Sequence, residues 1–378
     1  HSIVEMDIGD THEARLTSND RRLDSGKYVD MYAFEASRGD FVRIEMRSED
    51  FDTYLMLRSP AGESYRNDDY DGSLELSVIE FTAPHDGRYR IMATTYASGR
   101  TGTYEVEVMS LRNPPLHPTE SDGRGGTVYG IFAGISDYSM LRRIDSAWGD
   151  LNYTAKDAFV AHDHLIQYAG MDPENGFLFT NDEATRVNIE AAFEEIAERI
   201  RPNDTFVFFY SGHGGQEMRD DGFDAADADG YDETLALSDG TITDDEVREL
   251  FDTIDAYASL IVLDSCYAGG FAKDIVSAPS RMGLFSSDED VPSLVADTFD
   301  AGGYLSYFFS EAFVDGAADE NGDDYIDAME LSQYLQIRYN EESMAKGPSD
   351  FNTPNFGWQH LVVDRGGVPH DALLFHLE

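Results

Sequence analysis

Two short apolar runs, each ending in glycines around one reactive side chain, constrain this chain more than any other feature. Residues 206–210 (Phe-Val-Phe-Phe-Tyr) lead into Ser-Gly-His213-Gly-Gly, and residues 260–263 (Leu-Ile-Val-Leu) lead into Asp-Ser-Cys266-Tyr-Ala-Gly-Gly. Runs of this length predict strands, and strands that are apolar on both faces are typical of a parallel sheet covered by helices. Active residues of such sheets follow the strand ends, so we expect His213 and Cys266 to meet there. The glycines allow backbone N–H groups to turn toward a substrate carbonyl.

The segments around these runs alternate between strand and helix patterns. Residues 127–135 and 176–180 are short apolar segments that predict strands, whereas 153–168 carries its apolar residues on one helical stripe. A second helix pattern precedes the His-bearing strand, with Ile189, Phe193, Ile196 and Ile200 facing the sheet. This alternation of strand and helix patterns predicts an α/β domain with a largely parallel central sheet flanked by helices.

The N-terminal part of the chain has a different pattern. In residues 42–47 apolar and charged side chains alternate, as they do in 104–108, and Gly- or Pro-containing turns separate such runs. Short strands separated by such turns predict an all-β sandwich. A Pro- and Gly-rich stretch then links the two parts. We therefore predict a sandwich domain at residues 1–111, a linker at 112–126 and an α/β domain at 127–378.

The charge balance restricts the possible partners. The chain has 27 basic and 74 acidic residues, and its formal net charge is −47. Such a surface repels nucleic acid and anionic membranes, and it attracts basic peptides and divalent cations. One cysteine excludes an internal disulfide, and no apolar run is long enough to span a membrane. Because the chain begins at His1, we expect that a signal peptide has been removed and that the protein is secreted or periplasmic.

The two reactive motifs resemble those of caspase-like cysteine peptidases, in particular metacaspases and bacterial orthocaspases. His213 and Cys266 are 53 residues apart, close to the roughly 50 of caspases. Caspases differ in having Gln two residues before the cysteine, where this chain has Asp264. The resemblance implies a caspase-like fold, with Cys266 as the nucleophile and His213 as its proton acceptor and donor. The backbone N–H groups of Gly214 and Cys266 would then bind the oxyanion.

The same resemblance implies which residues bind the substrate. The acidic positions that line the specificity pocket of metacaspases match Asp157 and Asp264, and Ser211 lies on the same rim. Two carboxylates in a narrow pocket favour a guanidinium group. We therefore predict peptide and protein substrates that are cut after Arg, or after Lys. In the alternative interpretation, Asp157 caps a helix and Asp264 fixes a loop.

Residues 1–111 resemble the bacterial pre-peptidase C-terminal domain. Several short sequence motifs and their order along the chain carry this resemblance: Asp30-Met31-Tyr32-Ala33-Phe34, Phe51-Asp52-Thr53-Tyr54-Leu55, Gly87-Arg88-Tyr89 and Gly102-Thr103-Tyr104. That family accompanies secreted peptidases, so the resemblance implies an accessory role without chemistry of its own.

An acidic insert lies between the His and Cys motifs, and it resembles the metacaspase insert whose aspartates bind an activating calcium ion. The ligands implied by that match are Asp229, Asp244, Asp245 and Asp274. Clustered carboxylates repel one another unless a hard cation gathers them. A solvated acidic loop is the alternative.

A second calcium candidate begins at Asp319 and has the spacing of an EF-hand loop. Its ligand places are Asp319, Asn321, Asp323, Tyr325, Asp327 and Glu330. The sixth place is Asp324, where glycine is expected for a sharp turn. The alternative is an acidic connection between helices that binds no calcium.

The resulting prediction is a bacterial cysteine endopeptidase, calcium-activated and self-processed. Self-cleavage sites would follow basic residues in exposed loops, for which the candidates are Arg112, Arg124, Lys273 and Arg281. Two other functions stay open. One is a catalytically inactive calcium-binding or adhesive protein, and the other is a Cys-His hydrolase or transpeptidase of other specificity.

Overall fold

The structure is a computed structural model of the chain. It describes residues 3–23, 25–38, 40–60, 64–68, 70, 73–83, 85–110, 123–144, 146–218, 231–276, 278, 280–287, 293, 296, 299–342 and 361–377. For residues 82, 218, 231, 273, 274 and 340 it describes the backbone alone.

Short strands build the N-terminal region as two facing sheets, one with the order β2-β10-β5-β8 and the other with β1-β4-β9-β6-β7. Their bounds are β1 (Val4–Glu5), β2 (Thr11–Leu16), β3 (Arg21–Arg22), β4 (Tyr28–Ala36), β5 (Phe41–Arg47), β6 (Thr53–Arg58), β7 (Ser64–Asn67), β8 (Leu76–Thr82), β9 (Gly87–Thr95) and β10 (Gly102–Ser110). Val42, Ile44 and Met46 of β5 are fully buried between the sheets. Their alternation along the strand confirms the predicted β-sandwich.

The C-terminal region mixes strands with five helices among its described residues. The strands are β11 (Val128–Gly134), β12 (Gly176–Thr180), β13 (Thr205–Ser211), β14 (Gly214–Met218), β15 (Tyr231–Leu237), β16 (Gly240–Thr243), β17 (Ala258–Asp264), β18 (Arg281–Phe285), β19 (Tyr325–Asp327), β20 (Val362–Asp364) and β21 (Leu373–His376). The helices are α1 (Thr154–Tyr168), α2 (Arg186–Arg199), α3 (Asp244–Phe251), α4 (Tyr304–Glu311) and α5 (Ala328–Glu341). None of the described helices is long and apolar enough to cross a membrane.

A parallel sheet in the order β12-β11-β13-β17-β18 forms the centre of this region. Val207 and Phe209 of β13 pack toward α1, α4 and α5, whereas Phe206 and Phe208 pack toward α2 and α3. Because both faces of the strand are covered, it has to be apolar at every position. The predicted α/β fold, with a largely parallel sheet between helices, is confirmed.

The two regions share one continuous sheet. Strand β20 pairs antiparallel with β18 on one side and parallel with β7 of the sandwich on the other, through Val362 opposite Ser64 and Val363 opposite Tyr65. Twelve strands thus form one sheet, six from the sandwich (β1, β3, β4, β6, β7 and β9) and six from the α/β region (β11, β12, β13, β17, β18 and β20). The proposed linker falls mostly outside the described residues, so its bounds stay a prediction.

The structure corrects one expectation about the exposed basic residues. Arg281 is not in a loop: it is the first residue of β18, is 8% exposed and forms an ion pair with Asp252 at 2.7 Å. The prediction overlooked that the apolar run after Arg281 starts a strand. Lys273 lies in a helical turn, Ala272–Val276, and Arg112 lies outside the described residues.

Candidate active site

Adjacent parallel strands bring the predicted reactive residues to one edge of the sheet. In the register of β13 and β17, Ser211 is opposite Asp264. His213 and Cys266 each follow these paired residues by two positions, so the two turns leave the sheet side by side. The turns also contact each other, because a Cβ at Gly214 would overlap the Cys266 carbonyl oxygen. Glycine at this position is therefore what allows the two turns to approach.

Aromatic side chains and a backbone carbonyl fix the ring of His213. The ring centroid lies 4.7 Å from that of Tyr138 and 5.5 Å from that of Trp148. The His213 Nε2 is 2.8 Å from the Gly149 carbonyl oxygen. A carbonyl only accepts, so Nε2 carries a proton and the neutral ring keeps Nδ1 as its acceptor. Burial lowers the pKa of His213, and the Gly149 carbonyl partly offsets this effect.

The thiol of Cys266 is partly buried beside the Asp264 carboxylate. Its Sγ accepts a hydrogen bond from the Ser293 backbone N–H at 3.3 Å, and in the described part of the chain no hydrogen bond joins it to the imidazole. Burial raises the pKa of the Cys266 thiol, the Ser293 N–H lowers it, and the Asp264 charge raises it again. The neutral thiol is therefore favoured until a substrate changes these surroundings.

The three residues predicted to line the specificity pocket lie together. The Ser211 hydroxyl donates to Asp157 Oδ2 at 2.8 Å, and Ser211 pairs in register with Asp264. Both carboxylates are about 5% exposed. Asp157 also lines a cavity of about 350 Å³ between α1 and α4, together with Ser306.

The residues at the start of α4 hold both carboxylates. The Gly302 N–H donates to Asp157 at 3.0 and 3.1 Å, and the Ser306 N–H donates to Asp264 Oδ2 at 2.7 Å. A Cβ at Gly303 would overlap the Asp264 carboxylate. Asp264 thus accepts from the first turn of α4, whereas Asp157 accepts from Gly302 and does not cap its own helix. The sequence signal for this arrangement is the pair Gly302-Gly303.

The two buried carboxylates influence each other. Burial, and then the charge of Asp264, raise the pKa of Asp157 to about 7, although the Gly302 and Ser211 hydrogen bonds lower it. Burial also raises the pKa of Asp264. Two acids in this position gain from a cation, because it would replace the solvation they have lost.

The structure describes the side chains of two of the four residues of the first predicted calcium site, Asp244 and Asp245. Asp229 and the side chain of Asp274 lie outside the described residues. Asp244 is buried and accepts from the Glu233 N–H at 3.3 Å, and Asp245 forms an ion pair with Arg248 at 3.2 Å. Calcium at this insert stays a prediction.

The second predicted calcium site is a closed acidic loop before α5. Asp319 accepts backbone hydrogen bonds from the N–H groups of three residues further along the loop. The predicted ligand Asp323 accepts from the N–H of Tyr325, and the Glu330 carboxylate accepts the N–H of Asn321 and of Asp327.

Asp324, at the place of the expected glycine, adopts φ +65°. Aspartate tolerates this left-handed conformation better than most residues, so the turn forms without glycine. Throughout the described ranges, no three acidic, His or Cys side chains are grouped to hold a metal ion, this loop included. Calcium at this loop, too, stays a prediction.

Two families match this chain. Residues 146–274 match the metacaspase, peptidase C14 domain, and residues 28–95 match the bacterial pre-peptidase C-terminal domain. The chain is 35% identical over 155 residues to Metacaspase-1 of Schizosaccharomyces pombe, covering 38% of this chain and 35% of that protein. It is 36% identical over 118 residues to Metacaspase-1 of Yarrowia lipolytica, covering 28% and 25%. The chain therefore spans about a third or less of the length of these curated relatives.

Two solved structures are among those similar to this chain. A protein of Geobacter sulfurreducens has a TM-score of 0.47 and 17% identity, covering 67% of this chain and all of that one. The pre-peptidase C-terminal domain of a Bacillus anthracis collagenase has a TM-score of 0.24 and 18% identity, covering 28% of this chain and 94% of that one.

Proposed function

We propose that this chain, in which a metacaspase-type peptidase C14 domain follows a bacterial pre-peptidase C-terminal domain, is a cysteine endopeptidase that cuts after Arg or Lys. One observation carries the proposal. The turns bearing His213 and Cys266 leave the same sheet edge in register, beside two buried carboxylates.

In the proposed reaction the Cys266 thiol transfers its proton to His213 Nδ1, and the sulfur attacks the scissile carbonyl carbon. The backbone N–H groups of Gly214 and Cys266 hold the oxyanion. The C–N bond then breaks, and the imidazolium gives its proton to the leaving amine. A water molecule, deprotonated by the imidazole, hydrolyses the thioester and restores the thiol. Catalytic hydrogen bonds are often absent before substrate binds, so the unbonded thiol is compatible with this sequence of steps.

Specificity for Arg follows in this proposal from the charge of the pocket. Asp157 and Asp264 are buried, and each is held by N–H or O–H donors that leave the acids without a cationic partner among the contacts described above. A guanidinium would form charge-assisted hydrogen bonds with them, whereas an Asp side chain would add a third negative charge. Lys supplies one compact charge and is expected to be a weaker substrate.

Calcium activation, self-processing and secretion complete the proposal but depend on other observations. No reaction step is assigned to calcium, because Asp229 and the side chain of Asp274 lie outside the described residues. Among the self-cleavage candidates, Arg124 is described, and its guanidinium lies 5.0 Å from the ring of Tyr325. The accompanying pre-peptidase C-terminal domain supports secretion and a bacterial source, although the curated relatives named above are fungal.

A peptide library with cuts located by mass spectrometry tests the proposal. Wild type should cut after Arg, and after Lys more slowly, whereas Cys266→Ala should cut nothing. Since the chain has one cysteine, iodoacetamide labelling reports on Cys266 alone. Cuts after other residues would favour a hydrolase of different specificity. If a folded, unlabelled wild type makes no cuts while a separate sample shows that Cys266 can be alkylated, an inactive binding protein is favoured.

A further inference from the structure

The sandwich domain contacts the turn that carries the predicted nucleophile. Arg66, in β7, is 5% exposed and donates from Nη2 to the backbone carbonyl of Gly269, three residues after Cys266. Its Nη1 donates to the Tyr54 hydroxyl at 2.9 Å, so the guanidinium is held within its own domain. A buried guanidinium makes charge-assisted hydrogen bonds, which are stronger than neutral ones.

The nucleophile turn depends on such support from outside. Tyr267, next to Cys266, has φ +59°, a left-handed conformation that is rare for a residue other than glycine. Such a conformation persists where the surroundings hold it. Ser287 supports one side of the turn, accepting from the Ala268 N–H at 3.3 Å and donating to the Ser265 carbonyl at 2.9 Å.

The position of Arg66 is itself fixed by the joint between the domains. Strand β7 extends the central sheet by pairing with β20. Gln336 of α5 donates to the Ser64 carbonyl at 2.7 Å, and Asn67 donates to the Asp364 carboxylate at 3.3 Å. These contacts flank Arg66 on both sides along β7, so the guanidinium reaches the Gly269 carbonyl from a rigid strand.

We infer that Arg66 is a positioning residue of the peptidase site and that the sandwich domain completes this site. By fixing the Gly269 carbonyl, Arg66 sets the direction in which the Cys266 thiol leaves the sheet. The pocket carboxylates are held by a different segment, the residues at the start of α4, so Arg66 acts on the nucleophile and not on substrate binding. This inference rests on the proposed peptidase function.

The test compares full-length Arg66→Ala, Tyr54→Phe and the control Arg88→Ala. Arg88 belongs to the same domain but pairs with Glu5 at the surface. Each folded variant is assayed for kcat and KM on an Arg peptide and for the rate of iodoacetamide alkylation of Cys266. We expect about a tenfold fall in kcat and a slower alkylation for Arg66→Ala, with KM unchanged, a smaller fall for Tyr54→Phe and no change for Arg88→Ala.

Each result of these assays either supports or overturns the positioning role of Arg66. An Arg66→Ala protein that melts like wild type and keeps its kcat and alkylation rate overturns the inference, as does a rise in KM with kcat unchanged. If Arg66→Ala does not fold, the result for Tyr54→Phe is used instead. A Tyr54→Phe protein whose Cys266 is alkylated as fast as in wild type also overturns the inference. Alkylation needs no substrate, so a wild type that cuts no peptide would refute the proposed function while the positioning role is still tested.

Discussion

The raised pKa of Asp157 predicts that preference for Arg depends on pH. Asp157 has a pKa of about 7 against an ordinary 3.8, mainly because it is buried and next to Asp264. A proton and a substrate guanidinium compete for this carboxylate. Below pH 7 the proton dominates, so binding of Arg should weaken by up to about tenfold for each pH unit. Above pH 7 the carboxylate is ionised and the preference should be constant.

The size of the effect has an upper limit set by the charge of Asp157. A hydrogen bond to a charged group contributes about 1.5–3 kcal/mol, which is about ten- to a hundredfold in kcat/KM. The assay measures the ratio of kcat/KM for an Arg peptide and its citrulline counterpart, because the titration of Cys266 and His213 cancels in this ratio. From pH 8 to pH 5 the wild-type ratio should fall to the value that Asp157→Asn shows at pH 5.

A control separates this pocket from general effects of charge. Asp163 also belongs to α1, but its carboxylate accepts from Gln167 at 2.6 Å, away from the pocket. In Asp163→Asn the kcat/KM ratio should depend on pH as it does in wild type. The reasoning is wrong if the wild-type ratio changes by less than about twofold between pH 5 and 8, or if Asp157→Asn keeps the same slope.

Two further predictions concern the start of α4 and calcium. Gly303→Ala should destabilise the protein by about 1–3 kcal/mol and reduce cleavage after Arg, because the new Cβ overlaps the Asp264 carboxylate. Gly240→Ala, where a Cβ meets nothing within 4 Å, is the matched control, and equal melting temperatures of the two variants would contradict this account. If calcium activates the enzyme, excess EGTA should abolish cleavage and added Ca²⁺ should restore it. Full activity in EGTA would show that calcium is not required.

The sequence predicted the central sheet and the dyad because local patterns encode both. Doubly apolar runs such as 206–210 can be buried on both faces only inside a covered sheet. His213 and Cys266 each follow the end of such a run by the same number of residues. Parallel pairing of the two strands therefore places both residues at the same edge of the sheet. The prediction that Asp157, Ser211 and Asp264 lie together came from resemblance, and the structure places them in contact or in register.

The supports of these residues could not be found in the same way. Tyr138 and Gly149 hold His213 from outside either motif, and the turn at Gly302 holds Asp157 across 145 positions of sequence. Arg66 and Gly269 are 203 positions apart. No periodicity relates such pairs, because their contact depends on how whole strands and helices are arranged.

Sequence alone therefore determined the strands and helices around the central sheet and singled out His213 and Cys266 as candidates, since strand and helix periods and glycine turns are properties of neighbouring residues. Tertiary structure decided how β7 joins β20, which carbonyl fixes the His213 ring and which turn surrounds the two carboxylates. The physical reason is range: periodicity acts over a few residues, whereas burial and hydrogen bonding between distant segments exist only after the chain has folded.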